Sequence, residues 1–166
     1  MNDRWKKPHK SAVLIMCFVV GAIIISACPV PPPMRYDFTP PPIEWVPERS
    51  EDGALLFRRE DAAMGIMVNT ECDRYQNVPL NPLSRTLFIV FENRKEIGRG
   101  EAQVDGHEAI WVIMECTLDD VPLKIKAYVF KAGGCIYDIV YFSFPEDYDE
   151  GLPYFENFVL NFRAEG

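Results

Sequence analysis

Residues 98–144, which decide the fold, read GRGEAQVDGHEAIWVIMECTLDDVPLKIKAYVFKAGGCIYDIVYFSF. Asp105-Gly106 is a strong signal for a hairpin, because Asp-Gly is a favoured sequence in the two-residue turns that join antiparallel strands. Asp119-Asp120 and Gly133-Gly134 interrupt the apolar pattern and indicate two further turns. The stretch therefore predicts a meander of four antiparallel strands.

The four predicted strands differ in how their apolar residues are distributed. Residues 109–114 are apolar on both faces, which is expected of a central strand with layers above and below it. In the next strand, apolar residues alternate with Lys124, Lys126 and Tyr128, so that one face is the more polar. Gly98-Arg99-Gly100 predicts a bulge in the first strand of the meander.

Further elements are predicted on both sides of the meander. Two short strands, residues 54–57 and 65–72, precede it and are separated by a turn at Glu60-Asp61. Asn81-Pro82 predicts a helix that begins with an N-cap and a proline at its first position. Apolar residues then recur at helical spacing over about three turns, namely Leu83, Leu87, Val90 and Phe91. A closing helix has Pro153 near its start and one apolar stripe, Phe155, Phe158, Val159 and Phe162.

This order of elements predicts an α+β fold, in which an antiparallel sheet has helices packed on it. The order resembles that of the PsbP-like α/β/α sandwich, which is found in photosystem extrinsic proteins and small bacterial envelope proteins. The resemblance covers residues 45–163, and it includes Tyr-Asp-Ile-Val-Tyr at 137–141 and Phe-Glu-Asn-Phe-Val at 155–159. It implies a fold but assigns no functional residue, because no site motif of that family matches this sequence.

The N-terminus predicts an exported lipoprotein. A basic head and then an uninterrupted apolar run, residues 11–27, have the layout of a secretory signal. The run ends in Ile25-Ser26-Ala27-Cys28, which resembles the lipobox of bacterial lipoproteins. The resemblance implies cleavage before Cys28 and lipid attachment to that cysteine. The alternative is an uncleaved signal anchor, and in both cases the bulk of the chain lies outside the cytoplasm.

The predicted organisation is a signal peptide over residues 1–27, a lipidated cysteine and Pro-rich tether over 28–47, and a single α+β domain over 48–166. Eight prolines among residues 29–47 exclude a helix and favour an extended tether. A docking motif for a proline-reading partner is the alternative interpretation of the segment. Four apolar residues predict that its second half packs back on the domain, namely Tyr36, Phe38, Ile43 and Trp45.

Three cysteines remain after the signal peptide and Cys28 are set aside, which is an odd number for an oxidising compartment. Cys72 closes one predicted strand and Cys135 opens another, so both lie near turns at the ends of the sheet. We therefore predict a Cys72–Cys135 disulfide and a buried, apolar Cys116 thiol. A catalytic or metal-binding trio of thiols is the alternative, although C-x-x-C spacing and histidine partners are both lacking.

No motif in the sequence predicts a catalytic, metal or cofactor site. The chain has no nucleophile elbow and no phosphate-binding loop, and His107 lies beside a predicted turn as a solvated residue. The acidic run 146–150 has the alternating aspartates of a calcium loop without the rest of that pattern, so a solvated turn is predicted. Asp138 lies in an apolar strand and is predicted to face Lys124 or Lys126 across the sheet.

Charge and composition narrow the class of partner. The chain has a formal net charge of −8, and the signal segment contains four of its 17 basic residues but one of its 25 acidic residues. A mature chain that is still more acidic will not bind nucleic acid through bulk electrostatics. The predicted membrane contact is therefore the lipid on Cys28, at the cell envelope. Pro29 replaces the aspartate that often retains lipoproteins at the inner membrane, which favours the periplasmic face of the outer membrane in a Gram-negative cell.

These observations predict a non-enzymatic envelope lipoprotein, an accessory domain that binds an envelope protein or a small apolar ligand. One alternative is a ligand carrier with an apolar pocket between sheet and helix, lined by aromatics such as Phe130, Tyr141 and Phe155. Another alternative is a hydrolase that uses carboxylates alone.

Overall fold

The computed structural model describes residues 36–42, 44–50, 53–59 and 61–165. The predicted signal peptide, Cys28 and the first part of the Pro-rich segment lie outside these ranges, as do Ile43 and Glu60. Within the described ranges, no helix has both the length and the apolar character that crossing a membrane requires.

Two sheets and two helices make up the described domain. The strands of the main sheet are β2 Trp45–Arg49, β3 Leu55–Arg59, β4 Met64–Cys72, β5 Glu92–Val104, β6 His107–Leu118, β7 Val121–Ala132 and β8 Cys135–Ser143. The other elements are β1 Tyr36–Asp37, β9 Arg163–Ala164, α1 Leu80–Thr86 and α2 Tyr148–Leu160. The main sheet is antiparallel, with the order β2-β3-β4-β8-β7-β6-β5, and β1 pairs with β9 in a second, small sheet.

The two helices pack on opposite faces of the main sheet. Side chains alternate along each strand, and one set forms a core with Phe155 and Phe158 of α2. The other set forms a smaller core with Phe88, which follows α1. We call these the α2 face and the α1 face. An antiparallel sheet between two helical layers confirms the predicted α+β fold.

β8 is the middle strand and contributes to both cores. Its Tyr137 and Tyr141 are fully buried on the α2 face, and Val140 is buried on the α1 face. Residues 109–114, predicted to form a central strand with layers above and below it, have both layers but lie in β6, which is second from the edge. Those residues are apolar on both faces because both cores extend as far as β6.

The three predicted hairpin turns are confirmed. Asp105-Gly106, Asp119-Asp120 and Gly133-Gly134 all have positive φ at both residues, between 50° and 77°, as expected for the tight turns that match the twist of paired strands. The bulge is also confirmed, because the β5–β6 register shifts between Glu96 and Gly98.

The first helix differs from its prediction at both ends. α1 begins at Leu80 after Pro79, because the side chain of Asn81 accepts a hydrogen bond from Arg99 of β5 (3.0 Å) and does not cap the helix. α1 has seven residues, and the chain then continues with hydrogen bonds between residues i and i+3. This tighter winding changes which residues face inward. Phe88 is therefore buried, whereas Val90 of the predicted stripe is 68% exposed.

The second half of the Pro-rich segment belongs to the folded domain, as its apolar residues predict. Tyr36 is buried, and its ring stacks on Phe162 with the centroids 5.2 Å apart. Trp45 is also buried, and Phe38 packs against Phe57 and Phe158. Tyr36, Phe38 and Trp45 therefore pack with the folded domain, although they precede its predicted boundary at residue 48.

The predicted Cys72–Cys135 disulfide is present in the structure. The two residues are register partners on β4 and β8, with their Cα atoms 4.0 Å apart. Cys116 is a buried free cysteine on the α1 face, and burial raises the pKa of its thiol. The thiol is therefore kept in its neutral, less reactive form.

We expect the Cys72→Ala/Cys135→Ala double variant to be less stable by about 4 kcal/mol in the chain-entropy model, because the bond closes a long loop. The two cysteines are 63 positions apart in the chain. Chemical unfolding followed by tryptophan fluorescence measures the loss, with Cys116→Ala as the control that keeps the bond. Thiol counting on the mature protein should find one reactive thiol after unfolding and three after reduction, and three without reductant would contradict the disulfide.

Candidate functional site

The α1 face is only partly covered by its helix. α1 has seven residues and is therefore about 10 Å long, whereas seven strands spaced about 4.8 Å apart span roughly three times that width. The helix packs against β6 and β7. Arg99 holds it there, because its guanidinium donates to Ser84 Oγ at 2.7 Å and to Asn81 Oδ1 at 3.0 Å. The half of this face formed by β4 and β8 is left without a helix.

An apolar groove of about 890 Å³ occupies part of the uncovered half. It lies at the end of the sheet where β4 begins and where β6 turns into β7. Its apolar lining from the strands comprises Met67, Leu123, Ile125, Val140 and Phe142. Further apolar residues line its edges, namely Ala62, Ala63, Met64, Phe91, Leu118, Val121 and Phe144. The volume is within the range of small-molecule sites, which are mostly apolar.

A glycine shapes the floor of the groove. Gly65 of β4 is the register partner of Phe142 on β8. The far end of the phenyl ring lies close to the glycine, since a Cβ atom at Gly65 would be only 2.9 Å from Phe142 Cε1. A larger residue at position 65 would push the ring up into the groove.

The groove continues into a set of exposed aliphatic side chains. Leu118 and Val121 line the groove and are 39% and 41% exposed, and Ile89 and Val90, which immediately precede Phe91, are 70% and 68% exposed. We call Ile89, Val90, Leu118 and Val121 the apolar rim. Exposed apolar side chains beside a groove are typical of interaction sites.

The described lining of the groove contains charged groups of both signs, namely Arg58, Arg59, Asp61 and Asp119. Arg59 donates to Asp61 and Glu150, both at 2.7 Å, and its bond to Asp61 holds the pKa of that carboxyl below its usual range. The guanidinium therefore has two carboxylate partners. Asp119 and Asp120 are exposed in the β6–β7 turn, and neither forms an ion pair with another described residue.

Arg58 is the other cation in the described lining, and it forms a long ion pair outside the groove lining. Its guanidinium lies 3.8 Å from Glu48, and both side chains are more than half exposed. An exposed pair at that distance contributes little to stability.

The aromatics predicted to line a pocket are core residues, so that prediction is wrong. Phe130, Tyr141 and Phe155 are fully buried on the α2 face. The rings of Tyr141 and Phe155 stack with centroids 5.6 Å apart, and Phe130 stacks on Tyr137. α2 covers this face with 13 residues, so the pocket lies on the other face, where the helix is short.

Asp138 does not face the lysines proposed for it. Its strand register places it opposite Asn69 and Val129, on the α1 face. Lys124 and Lys126 alternate onto the α2 face, where Lys126 Nζ binds Glu156 at 2.5 Å and Lys124 lies over the ring of Tyr148. Burial raises the pKa of Asp138 to about 6, although its bond to Asn69 lowers it in part.

The remaining candidate residues, in the acidic run and at His107, make ordinary contacts within the fold. The described part of the chain contains no group of three His, Cys, Asp or Glu side chains that could hold a metal ion. In the acidic run, Glu150 pairs with Arg59, and Asp149 and Glu150 lie in the first turn of α2. His107 rests against the ring of Phe130, with the centroids 6.4 Å apart.

Comparison with solved structures identifies the fold of the chain. No protein-family model and no curated protein sequence matches the chain. Among solved structures, cyanobacterial PsbP (CyanoP) from Synechocystis matches with a TM-score of 0.60 and 13% identity, over 78% of this chain and 86% of that chain. LpqN, involved in cell envelope biogenesis of Mycobacterium tuberculosis, matches with a TM-score of 0.57 and 9% identity, over 79% of this chain and 83% of that chain. A Bacteroides thetaiotaomicron protein matches with 0.56 and 9%, over 80% of this chain and 46% of its own. The fold is PsbP-like.

The raised pKa of Asp138 predicts that this residue destabilises the protein at neutral pH. The unfolded chain releases its proton near the ordinary value of 3.8, whereas the folded chain keeps it until about pH 6. The loss of folding stability caused by Asp138 is therefore absent below about pH 4 and grows to roughly 2–3 kcal/mol above pH 6. We expect Asp138→Asn to stabilise the protein at pH 7.5 and to have little effect at pH 4.

Urea unfolding of the wild type and Asp138→Asn at both pH values measures this difference. Asp120→Asn, at an exposed turn position, is the control and should show no comparable dependence on pH. An Asp138→Asn effect of the same size at pH 4 and pH 7.5 would show that the carboxyl titrates normally.

Proposed function

We propose that this protein is a lipid-anchored lipoprotein of the bacterial cell envelope whose folded domain is a non-enzymatic binding domain. The apolar groove on the α1 face is its binding site. The anchor is the lipid on Cys28, at the end of the lipobox sequence Ile25-Ser26-Ala27-Cys28. In a Gram-negative cell the protein is held at the periplasmic face of the outer membrane. The envelope role of LpqN, a protein of the same fold, is compatible with this placement.

The groove is the observation that carries the binding role. Its volume of about 890 Å³ and its apolar strand residues suit an apolar occupant. Burying such an occupant would remove apolar surface of both partners from water, at about 25 cal/mol per Å².

The chemistry of the lining favours binding over catalysis. Among the described residues, the ionisable ones that line the groove are Arg58, Arg59, Asp61 and Asp119. Arg59 and Asp61 are bound to each other, and the described lining includes no serine, threonine, cysteine or histidine that could act as a nucleophile or base.

A carrier of a small apolar ligand is the second candidate function. It is favoured by the same volume, which would hold an acyl chain, and by Met67, because methionine side chains adapt to ligands of different shape.

We expect Met67→Trp to weaken the binding of an apolar probe, because the indole would fill the groove. The probe is N-phenyl-1-naphthylamine, whose fluorescence rises in apolar sites, titrated into residues 28–166 with Cys28→Ser to prevent lipidation. The matched control is Leu160→Trp, an exposed position at the end of α2 on the other face. Affinity should fall about tenfold or more for Met67→Trp, and it should be unchanged for the control. Equal affinities for both variants, or no binding to the wild type, would refute the groove as the binding site.

The anchor predicts a specific mass for the mature protein. Expressed in bacteria, the chain should begin at Cys28 and bear additional acyl mass, and a longer precursor should accumulate when lipoprotein signal peptidase is inhibited. Cys28→Ala should abolish both, whereas Cys17→Ala should change neither. A full-length chain that is insensitive to the inhibitor would identify an uncleaved signal anchor instead.

A further inference from the structure

The apolar surface at the groove is broader than a small ligand requires. Of the nine large apolar side chains that are exposed in the described part of the chain, four form the apolar rim. They come from two separate segments, the residues after α1 and the β6–β7 turn. A small-molecule site encloses most of its ligand, whereas this groove opens onto the rim along one side. The combined surface suits a segment of a larger partner.

The charge at the rim disfavours a lipid surface as that partner. Asp119 and Asp120 stand in the turn between Leu118 and Val121, so their carboxylates lie among the aliphatic side chains of the rim. An anionic membrane would bring like charges against them. Asp61 lines the groove and shares the guanidinium of Arg59 with Glu150 of α2. The two turn aspartates are therefore complementary to a positive charge that stands beside an apolar segment.

The rim lies at the opposite end of the sheet from Tyr36. Tyr36 pairs with Ala164, and the backbone N–H of Ala164 donates to Asp105 in the β5–β6 turn. That turn is at the opposite end of the sheet from Val121. β7 joins the two ends with 12 residues, which is about 40 Å of extended strand. Tyr36 and the rim are therefore far apart on the folded domain.

We propose that the groove and the apolar rim dock an apolar segment of another envelope protein, flanked by lysine or arginine residues. This inference rests on the proposed function of the groove as the binding site. Apolar side chains of the segment fill the groove over Phe142 and Val140. Its basic residues pair with Asp119 and Asp120, which no described residue neutralises in the free protein.

The test uses two synthetic peptides with the same central leucine–alanine segment, one flanked by lysines and the other by glutamates. Each is titrated by calorimetry into residues 28–166 with Cys28→Ser. We expect the lysine peptide to bind about tenfold more tightly at low salt, since two exposed ion pairs contribute roughly that factor. The preference should shrink in high salt.

The matched variant is Asp119→Asn/Asp120→Asn, which should bind both peptides equally. Asparagine tolerates the positive φ of these two turn positions, so this variant should fold as the wild type does. Met67→Trp should weaken both peptides, because it fills the groove and leaves the turn unchanged.

The remaining outcomes overturn the inference in distinguishable ways. Equal binding of the two peptides to the wild type would show that the aspartates select no partner. Failure of both peptides, with N-phenyl-1-naphthylamine still bound, would leave the groove as a small-ligand site and refute the docking surface alone. Binding to phosphatidylglycerol vesicles in place of the peptides would identify a membrane surface. Failure of the naphthylamine probe as well would refute the proposed function itself.

Discussion

The middle strand β8 must bury side chains on both of its faces, and the rest of the structure depends on how those two faces are covered. On one face, Tyr137 and Tyr141 are fully buried beneath α2. On the other, Val140 belongs to a smaller core, and Phe142 stays partly exposed over Gly65. A strand of this kind needs an apolar layer on each side. α2 supplies one in full, and the seven-residue α1 supplies the other only in part.

This unequal coverage produces the candidate site. Arg99 of β5 ties α1 to the β6–β7 side of the sheet through Asn81 and Ser84, and it also pairs with Glu96, whose pKa it lowers. On the opposite face, Lys126 and Tyr128 both bind Glu156 of α2, which closes that layer. The groove is therefore a consequence of helix length and placement. Its chemistry follows from strand residues that a longer α1 would have covered.

Local signals predicted the parts of the fold that depend on local chemistry. The three hairpins follow from residues that tolerate positive φ, and the disulfide follows from cysteines that end one strand and begin another. Contacts between distant residues decided the parts that were predicted wrongly. α1 starts early because Asn81 bonds to Arg99 rather than capping the helix, and Asp138 lies away from the lysines because of a strand register that pairs it with Asn69.

The sequence by itself determined the meander, its turns, the cysteine pair and the α+β class, because each depends on residues that are neighbours in the chain or on simple alternation. It also contains the lipobox, which stays a prediction. Only the tertiary structure decided which face of the sheet is left open. The aromatic residues predicted to line a pocket, Phe130, Tyr141 and Phe155, are core residues. The open surface is instead formed by residues from β4, β7 and β8 that are far apart in the sequence. No local sequence pattern shows which face of the sheet stays open, because the position of α1, which Arg99 holds in place, determines this.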